Sequence, residues 1–188
     1  MKHIILGSQS PRRRELLKGL GWPFETKVIK GISEGYPDGL TPEQIAEYIA
    51  VEKSLPYKCT LGENDLLINA DTIVVVDDNI LGKPTDEADA KRMLRLLSGR
   101  THQVMTGVCL TTTQQQKRFV VSTDVTFKIL SDEEIDFYVT HYKPYDKAGA
   151  YGIQEWIGYI GVTEIRGSYF NVMGLPVQRL YEAMCDML

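Results

Sequence analysis

Residues 66–76 read LLINADTIVVV, and this stretch decides the fold. Its apolar residues are almost continuous, whereas a strand with one face in water alternates apolar and polar residues. The stretch therefore predicts a central β-strand that is covered on both faces. The turn signal Asp77-Asp78-Asn79 follows it, so we expect the chain to return through residues 80–84 as a hairpin.

Helix and strand signals lie on both sides of this strand. Ser10-Pro11 and Thr41-Pro42 each place an N-cap residue before a helix, and Gln44 completes a capping box with Thr41. Further helices are predicted at 85–99, at 131–140 and after Pro176, and further strands at 3–6, 24–32, 103–113 and 118–130. Because hairpins exclude a purely parallel sheet, we expect a single α/β domain over residues 1–188, with a mixed β-sheet flanked by helices.

Composition excludes several classes of protein. The chain has 188 residues and a formal net charge of −4, which argues against non-specific binding to nucleic acid or to an anionic membrane. It contains no run of 18 apolar residues and no signal-peptide pattern, so we expect a cytoplasmic protein. The three cysteines have no CxxC pairing and the three histidines are scattered, so neither a disulfide framework nor a zinc site is indicated.

Asp71 is the charged residue of the predicted central strand. An unpaired buried carboxylate costs on the order of several kcal/mol unless it is neutralised, hydrogen-bonded or placed beside a cation. Such a carboxylate favours a functional role, in which it binds a divalent cation or polarises a water. The alternative is an aspartate at a strand end that is bonded to backbone amides.

Lys53 is a cation on an apolar helix face. Ile45, Ile49 and Lys53 recur every four residues, so the lysine should point along the core-facing stripe. Alternatively, its stem could pass the apolar neighbours and place the charge in water.

Lys83 follows the predicted hairpin. Counting across the two strands places it opposite Thr72 or Val74, within about 10 Å of Asp71. The alternative is a solvated hairpin lysine.

Three consecutive arginines, Arg12, Arg13 and Arg14, occupy the first turn of the predicted first helix. A helix N-terminus carries about half a positive charge, so cations are unfavourable there unless an anion is bound. The three arginines, together with the two lysines and the buried aspartate, indicate a cationic pocket. Such a pocket suits a polyphosphate with its metal. The alternative is a solvated basic turn that is paired with Glu15 and neighbouring acids.

Six ordered segments, spread from Ile5 to about Leu180, resemble the signature segments of the Maf family of nucleoside triphosphate pyrophosphatases. The segments are SQSPRRRELL (8–17), NADTIVV (69–75), LGKP (81–84), LSGRTHQVMTGV (97–108), DKAGAYGIQ (146–154) and GSYFNVMGLP (167–176). The resemblance implies a fold related to the inosine triphosphatase architecture. It also implies hydrolysis of a nucleotide to its monophosphate and pyrophosphate, with Mg²⁺ or Mn²⁺ as the cofactor.

The resemblance assigns residue roles. Asp71 matches the family's catalytic proton acceptor and metal-binding residue, and Glu34 matches a loop acid that joins the metal site. The positions that handle phosphate are matched by Ser8, Arg13, Lys53 and Lys83, of which the two lysines are counted with Asp71 as catalytic.

Base selectivity is also implied by the resemblance. Family members that act on dTTP and UTP have arginine, threonine and glutamine at three base-recognition positions, which Arg12, Thr72 and Gln154 match. Uracil and thymine offer carbonyl acceptors and one N–H donor, which an arginine and an amide can satisfy. The 7-methyl-GTP branch has an aromatic residue, glutamine and glutamate at these positions instead.

The expected partner is a nucleoside triphosphate, with modified pyrimidine nucleotides as further candidates. Neither nucleic acid nor a membrane is expected, and a homodimer is the assembly to test. The expected role is house-cleaning of nucleotide pools. The alternative function is a non-catalytic, nucleotide-sensing regulator of cell division that uses the same pocket.

Overall fold

A computed structural model describes residues 2–188 of the chain, and within them it forms seven β-strands and seven α-helices. The strands are β1 (His3–Leu6), β2 (Phe24–Thr26), β3 (Asp65–Val76), β4 (Asn79–Leu81), β5 (Thr101–Thr111), β6 (Gln116–Phe127) and β7 (Val162–Arg166). The helices are α1 (Pro11–Lys18), α2 (Pro42–Glu52), α3 (Glu87–Leu97), α4 (Asp132–Tyr142), α5 (Trp156–Gly161), α6 (Tyr169–Met173) and α7 (Val177–Cys185). Short 3₁₀ helices span Leu55–Thr60 and Ala148–Ala150.

The strands form a mixed sheet in the order β2-β1-β3-β5-β6-β7, with β4 paired to β3. β1 runs parallel to β2 and β3, whereas the pairs β3–β4 and β6–β7 are antiparallel. This arrangement confirms the predicted α/β class and the prediction that the sheet is not purely parallel.

β3 is the central strand that the apolar run predicted. It lies between β1 and β5, and ten of its twelve residues are buried. The predicted hairpin follows, with Val76 paired to Asn79 and Val74 paired to Leu81. Asp77 and Asp78 connect these strands with φ angles of 46° and 64°, as a tight turn that matches strand twist requires.

β2 is shorter than predicted, since it ends at Thr26 rather than near residue 32. Lys27 still donates its backbone N–H to the carbonyl of Leu6 at 3.1 Å. Beyond that point the hydroxyl of Tyr57 donates to the carbonyl of Lys27 and accepts from the N–H of Ile29, each at 3.0 Å. A buried side chain thus satisfies backbone groups that a neighbouring strand would otherwise satisfy.

The chain divides into two compact units. The first comprises the chain up to Asp71, Thr106–Val121 and Gly174–Leu188, and the second comprises Thr72–Met105 and Ser122–Met173. The division falls inside β3, β5 and β6, and one domain over residues 1–188 stays a prediction.

Each unit has its own apolar core. In the first, side chains of β1 and β3 such as Leu6 and Ile68 pack with Leu17 of α1 and Leu180 of α7. In the second, the core includes Val74, Leu94, Val125, Phe127 and Tyr138.

Among the helices of residues 2–188, none combines 18 residues with the hydropathy that a membrane span needs.

Candidate active site

Asp71 lies in the middle of β3, and its side chain is 11% exposed. Its Oδ1 accepts a hydrogen bond from Lys53 Nζ at 2.6 Å. The carboxylate is therefore buried beside a cation, as the sequence predicted, and it is not at a strand end.

Lys53 caps the C-terminus of α2 and does not extend into water. Its side chain is 16% exposed, and its Nζ lies 2.8 Å from Glu34 Oε1 as well as 2.6 Å from Asp71 Oδ1. Glu34 is in a segment without regular secondary structure, and its side chain is 46% exposed. We call Glu34, Lys53 and Asp71 the Lys53 cluster.

The position of Lys53 follows from how α2 packs. The N-terminus of α2 is fixed by the predicted capping box between Thr41 and Gln44, and its apolar face is buried. Gly107 of β5 permits the helix to approach closely, because a Cβ at that position would lie 2.1 Å from the carbonyl oxygen of Ala46. The helix therefore ends with Lys53 directed at Asp71.

Arg13 links the strand that carries Asp71 to the segment before α7. Its Nη1 donates to the carbonyl of Ala70 at 2.8 Å, and its Nε donates to the carbonyl of Gly174 at 2.7 Å. Desolvation lowers the pKa of the Arg13 guanidinium, while the negative charges of Asp71 and Glu34 raise that pKa. Arg13 thus acts as a second cation near the Lys53 cluster, and it also holds the backbone next to Asp71.

Ser8 and Arg12 lie at the start of α1. Ser8 Oγ accepts from the backbone N–H of Ser10 at 3.2 Å, and Ser10 is the predicted N-cap, with Oγ accepting from the N–H of Arg13. Arg12 is partly buried and close enough to Arg13 to lower its pKa. The structure therefore brings both arginines to the same helix turn.

Thr72, Lys83 and Gln154 belong to the second unit. Thr72 follows Asp71 in β3 and is partly buried. Lys83 is exposed and lies two residues beyond the end of β4, and extending the Val74–Leu81 register would place it opposite Thr72.

Gln154 lies in the loop between the second 3₁₀ helix and α5. The N–H of Gly149, in the 3₁₀ helix that precedes this loop, donates to the carbonyl of Gly82 at 3.1 Å. Gly149 has a φ of 69°, and a Cβ there would meet Val74 at 2.9 Å, so this junction requires glycine. The residue before Lys83 is thereby bonded to the 3₁₀ helix that leads into the loop of Gln154.

A family model described as "Maf-like protein" matches residues 3–187. The chain belongs to the Maf family. This confirms the resemblance that the six segments carried.

Close relatives of the chain are named dTTP/UTP pyrophosphatase. One from Phocaeicola vulgatus is 62% identical over 178 residues, covering 95% of this chain and 92% of the relative. Another from Porphyromonas gingivalis is 56% identical over 185 residues, covering 97% and 93%. A solved structure of a dITP/XTP pyrophosphatase from Mycobacterium abscessus matches with a TM-score of 0.46 and 16% identity, over 99% of this chain and 98% of the other.

The donor set of this Maf chain fits a cation that arrives with its substrate. Within residues 2–188 no group of three or more His, Cys, Asp or Glu side chains is arranged to hold a metal ion. Asp71 and Glu34, however, contribute carboxylate oxygens to one ammonium group. Mg²⁺ usually binds through one or two carboxylates together with phosphate oxygens and waters, so this pair fits such an ion.

Sequence reasoning missed a second polar cluster. We call Tyr138, Asp146, Lys147, Gly152 and Glu155 the Glu155 cluster, because both oxygens of that carboxylate are bonded within it. A signal for it exists, since Tyr138 lies on the apolar face of α4 and the hydroxyl of a buried tyrosine needs a partner.

Proposed function

We propose that this chain hydrolyses dTTP and UTP to the monophosphate and pyrophosphate. The observation that carries the proposal is the Lys53 cluster, a buried carboxylate on a central strand held by a cation from a helix end. The names of the close relatives support the same reaction.

Asp71 would act as the proton acceptor. A water oxygen attacks the α-phosphorus, the bond from that phosphorus to the bridging oxygen breaks, and pyrophosphate leaves with the electron pair. The proton of the water goes to the Asp71 carboxylate. The hydrogen bond from Lys53 to Asp71 Oδ1 fixes the orientation of the carboxylate. Proton transfer is faster when the accepting group is already positioned.

Cationic side chains would stabilise the charge that develops on the phosphates. Lys53, Arg13 and Lys83 are assigned to the transferring and leaving groups, and Ser8 to a phosphate oxygen. Placed cations of this kind lower the barrier because they are oriented before the reaction begins.

Asp71 and Glu34 would hold a divalent cation, Mg²⁺ or Mn²⁺. When bound, the ion supplies neutralisation of phosphate charge. The two carboxylates that now share Lys53 are oxygen ligands of the kind these ions prefer.

Arg12, Thr72 and Gln154 would select the base. Gln154 supports this assignment because its Oε1 is buried and accepts no hydrogen bond from the described residues 2–188. A ring N–H of uracil or thymine would satisfy that oxygen.

We also propose that the enzyme acts in the cytoplasm as a homodimer and binds neither nucleic acid nor membrane. The acidic net charge of −4 supports the last part. Size-exclusion chromatography with light scattering would test the assembly.

A panel of nucleoside triphosphates, scored by release of pyrophosphate with Mg²⁺ and with Mn²⁺, tests the reaction. We expect dTTP and UTP, followed by modified pyrimidine nucleotides, to be cleaved in preference to purine nucleotides. Release of phosphate instead of pyrophosphate would contradict attack at the α-phosphorus. Binding of dTTP without any product would favour the nucleotide-sensing regulator.

A further inference from the structure

The Glu155 cluster is fully bonded around its carboxylate. Lys147 Nζ lies 2.7 Å from Asp146 Oδ1 and 3.1 Å from Glu155 Oε1. The hydroxyl of Tyr138 donates to Glu155 Oε2 and accepts from the backbone N–H of Gly152 at 3.0 Å. Tyr138 therefore connects the carboxylate to the backbone of the loop.

The centre of the cluster is buried, whereas Asp146 at its edge is exposed. The Lys147 side chain is 8% exposed, and Tyr138 is entirely buried. Burial of a lysine is rare unless its charge is paired, and a polar network whose members are all satisfied holds its surroundings rigid. The cluster is thus suited to fixing the residues that it contacts.

Those residues flank Gln154 on both sides. Gly152 is held by Tyr138, and Glu155 is held by Tyr138 and Lys147. The backbone N–H of Glu155 also donates to the carbonyl of Gly152 at 3.0 Å. A Cβ at Gly152 would lie 2.9 Å from Glu155 Cδ and 3.0 Å from Lys147 Cε, so the loop closes tightly onto the cluster.

Gln154 itself takes no part in these contacts. Its Oε1 is buried, and within residues 2–188 it has no hydrogen-bond partner. An unsatisfied buried acceptor is costly, and a ligand N–H would remove that cost.

We propose that Tyr138, Lys147 and Glu155 position Gln154 so that its Oε1 faces the ring N–H of a uracil or thymine base. The inference rests on the proposed function, and it makes these three side chains positioning residues for base selection.

The orientation of the amide decides which base is accepted. Uracil and thymine present an N–H between two carbonyls, whereas cytosine presents a bare ring nitrogen and an amino group. A glutamine that can turn its amide over satisfies either pattern, because it carries both an acceptor and a donor. Because Gln154 Oε1 has no partner within residues 2–188, the positions of Gly152 and Glu155 decide which end of the amide reaches the base. A backbone that presents only Oε1 to the base rejects cytosine.

Tyr138→Phe is the principal test, because it removes the hydroxyl and keeps the ring. We expect kcat/KM for dTTP over that for dCTP to fall about tenfold, the factor that corresponds to loss of one well-placed hydrogen bond. The change should lie mainly in KM for dTTP. In the Gln154→Ala variant, adding Tyr138→Phe should hardly change this ratio further, because both substitutions act through the same amide.

Tyr142→Phe is the matched control. Tyr142 lies one turn further along α4, where it stacks on Tyr138 with ring centroids 5.1 Å apart, and it is exposed. This variant should keep the wild-type ratio of dTTP to dCTP. If Tyr138→Phe does not fold, Glu155→Gln is the second test variant. Thermal unfolding of each protein shows whether it is folded.

The outcomes separate the inference from the function. An unchanged ratio in folded Tyr138→Phe or Glu155→Gln overturns the positioning role, as does an equal loss on both substrates. If the wild-type protein releases no pyrophosphate from dTTP or UTP, the proposed function fails, and this inference fails with it.

Discussion

Lys53 in the first unit and Lys147 in the second each lie between two carboxylates, and the two arrangements differ in burial and in the bonds of the carboxylates. In the Lys53 cluster, Glu34 is half-exposed, and the contacts of Asp71 and Glu34 with the lysine each involve one oxygen. In the Glu155 cluster, the lysine is more buried, and both oxygens of Glu155 are bonded. Lys53 thus joins β3 to a half-exposed acid that a ligand can reach, whereas Lys147 closes a loop.

Asp71 and Glu155 also differ in the charge of the group that lies beside them in addition to the lysine. Asp71 lies near the cationic Arg13, whose pKa it raises against the effect of desolvation. Glu155 has the hydroxyl of Tyr138 as its second partner, and burial together with the hydrogen bond to Glu155 raises the pKa of that hydroxyl. A carboxylate beside two cations can lose one of them to a phosphate group and keep the other, whereas one between a lysine and a neutral hydroxyl would lose its only charged partner.

The largest expected effect is at Asp71. Asp71→Asn keeps the shape of the side chain and removes its charge, so kcat for dTTP should fall about 10²–10⁴-fold, the usual contribution of a general base. Pyrophosphate release measures this. Thermal unfolding should show that the variant is folded.

Asp78→Asn controls for the loss of one negative charge. Asp78 is an exposed turn residue with a φ of 64°, which asparagine tolerates. The Asp78→Asn variant should retain wild-type activity. Wild-type turnover by Asp71→Asn would remove Asp71 from the reaction and leave the two clusters without a functional difference.

The two lysines should separate activity from stability. Lys147→Met leaves Glu155 with only a neutral partner, so the free energy of unfolding should fall by about 3 kcal/mol. Lys53→Met should cost less stability, because Arg13 still compensates the charge of Asp71. It should nevertheless cost more in kcat.

Urea unfolding and pyrophosphate release, measured on both variants, test this pair. Equal losses of stability would mean that Arg13 does not compensate Asp71. A larger loss of kcat in Lys147→Met than in Lys53→Met would reverse the roles that the geometry assigns to the two clusters.

A buried histidine extends the comparison to pH. His102 in the second unit is 1% exposed, its Nε2 lies 2.6 Å from the hydroxyl of Tyr151, and burial lowers its pKa from 6.5 to about 4. Between these values the unfolded chain binds a proton that the folded chain does not. The contribution of His102 to the free energy of unfolding is therefore fully present above pH 6.5. As the pH falls towards 4, the free energy of unfolding decreases by about 3 kcal/mol.

Urea unfolding between pH 7 and 4.5 measures this loss. His102→Gln should show a shallower fall in stability than the wild type, whereas His141→Gln, at an exposed position on α4, should follow the wild type. Parallel curves for His102→Gln and the wild type would mean that His102 titrates alike in both states.

Local patterns predicted the elements that lead to the site. The apolar run predicted β3, and the capping residues predicted the starts of α1, α2 and α4, because such signals act over a few residues. The stripe from Ile45 to Lys53 also predicted that the lysine faces inward.

Contacts between distant residues could not be predicted in the same way. That Arg13 bonds the carbonyls of Ala70 and Gly174 depends on three segments meeting in space. Likewise, the Glu155 cluster joins α4 to a loop that is distant from it in sequence. Nor did the local pattern show that Tyr57 would end β2 early.

The smallest expected effect compares the helix starts that lead to the two clusters. α2, which ends at Lys53, and α4, which carries Tyr138, both begin with a capping box, Thr41 with Gln44 and Ser131 with Glu134. Thr41→Ala and Ser131→Ala should each lower the free energy of unfolding by about 1 kcal/mol in urea. Because each cap lies about two helical turns or more from the cluster, the ratio of dTTP to dCTP hydrolysis should stay at the wild-type value in both variants. A change of that ratio in Ser131→Ala alone would mean that α4 as a whole, rather than the hydroxyl of Tyr138, positions Gln154.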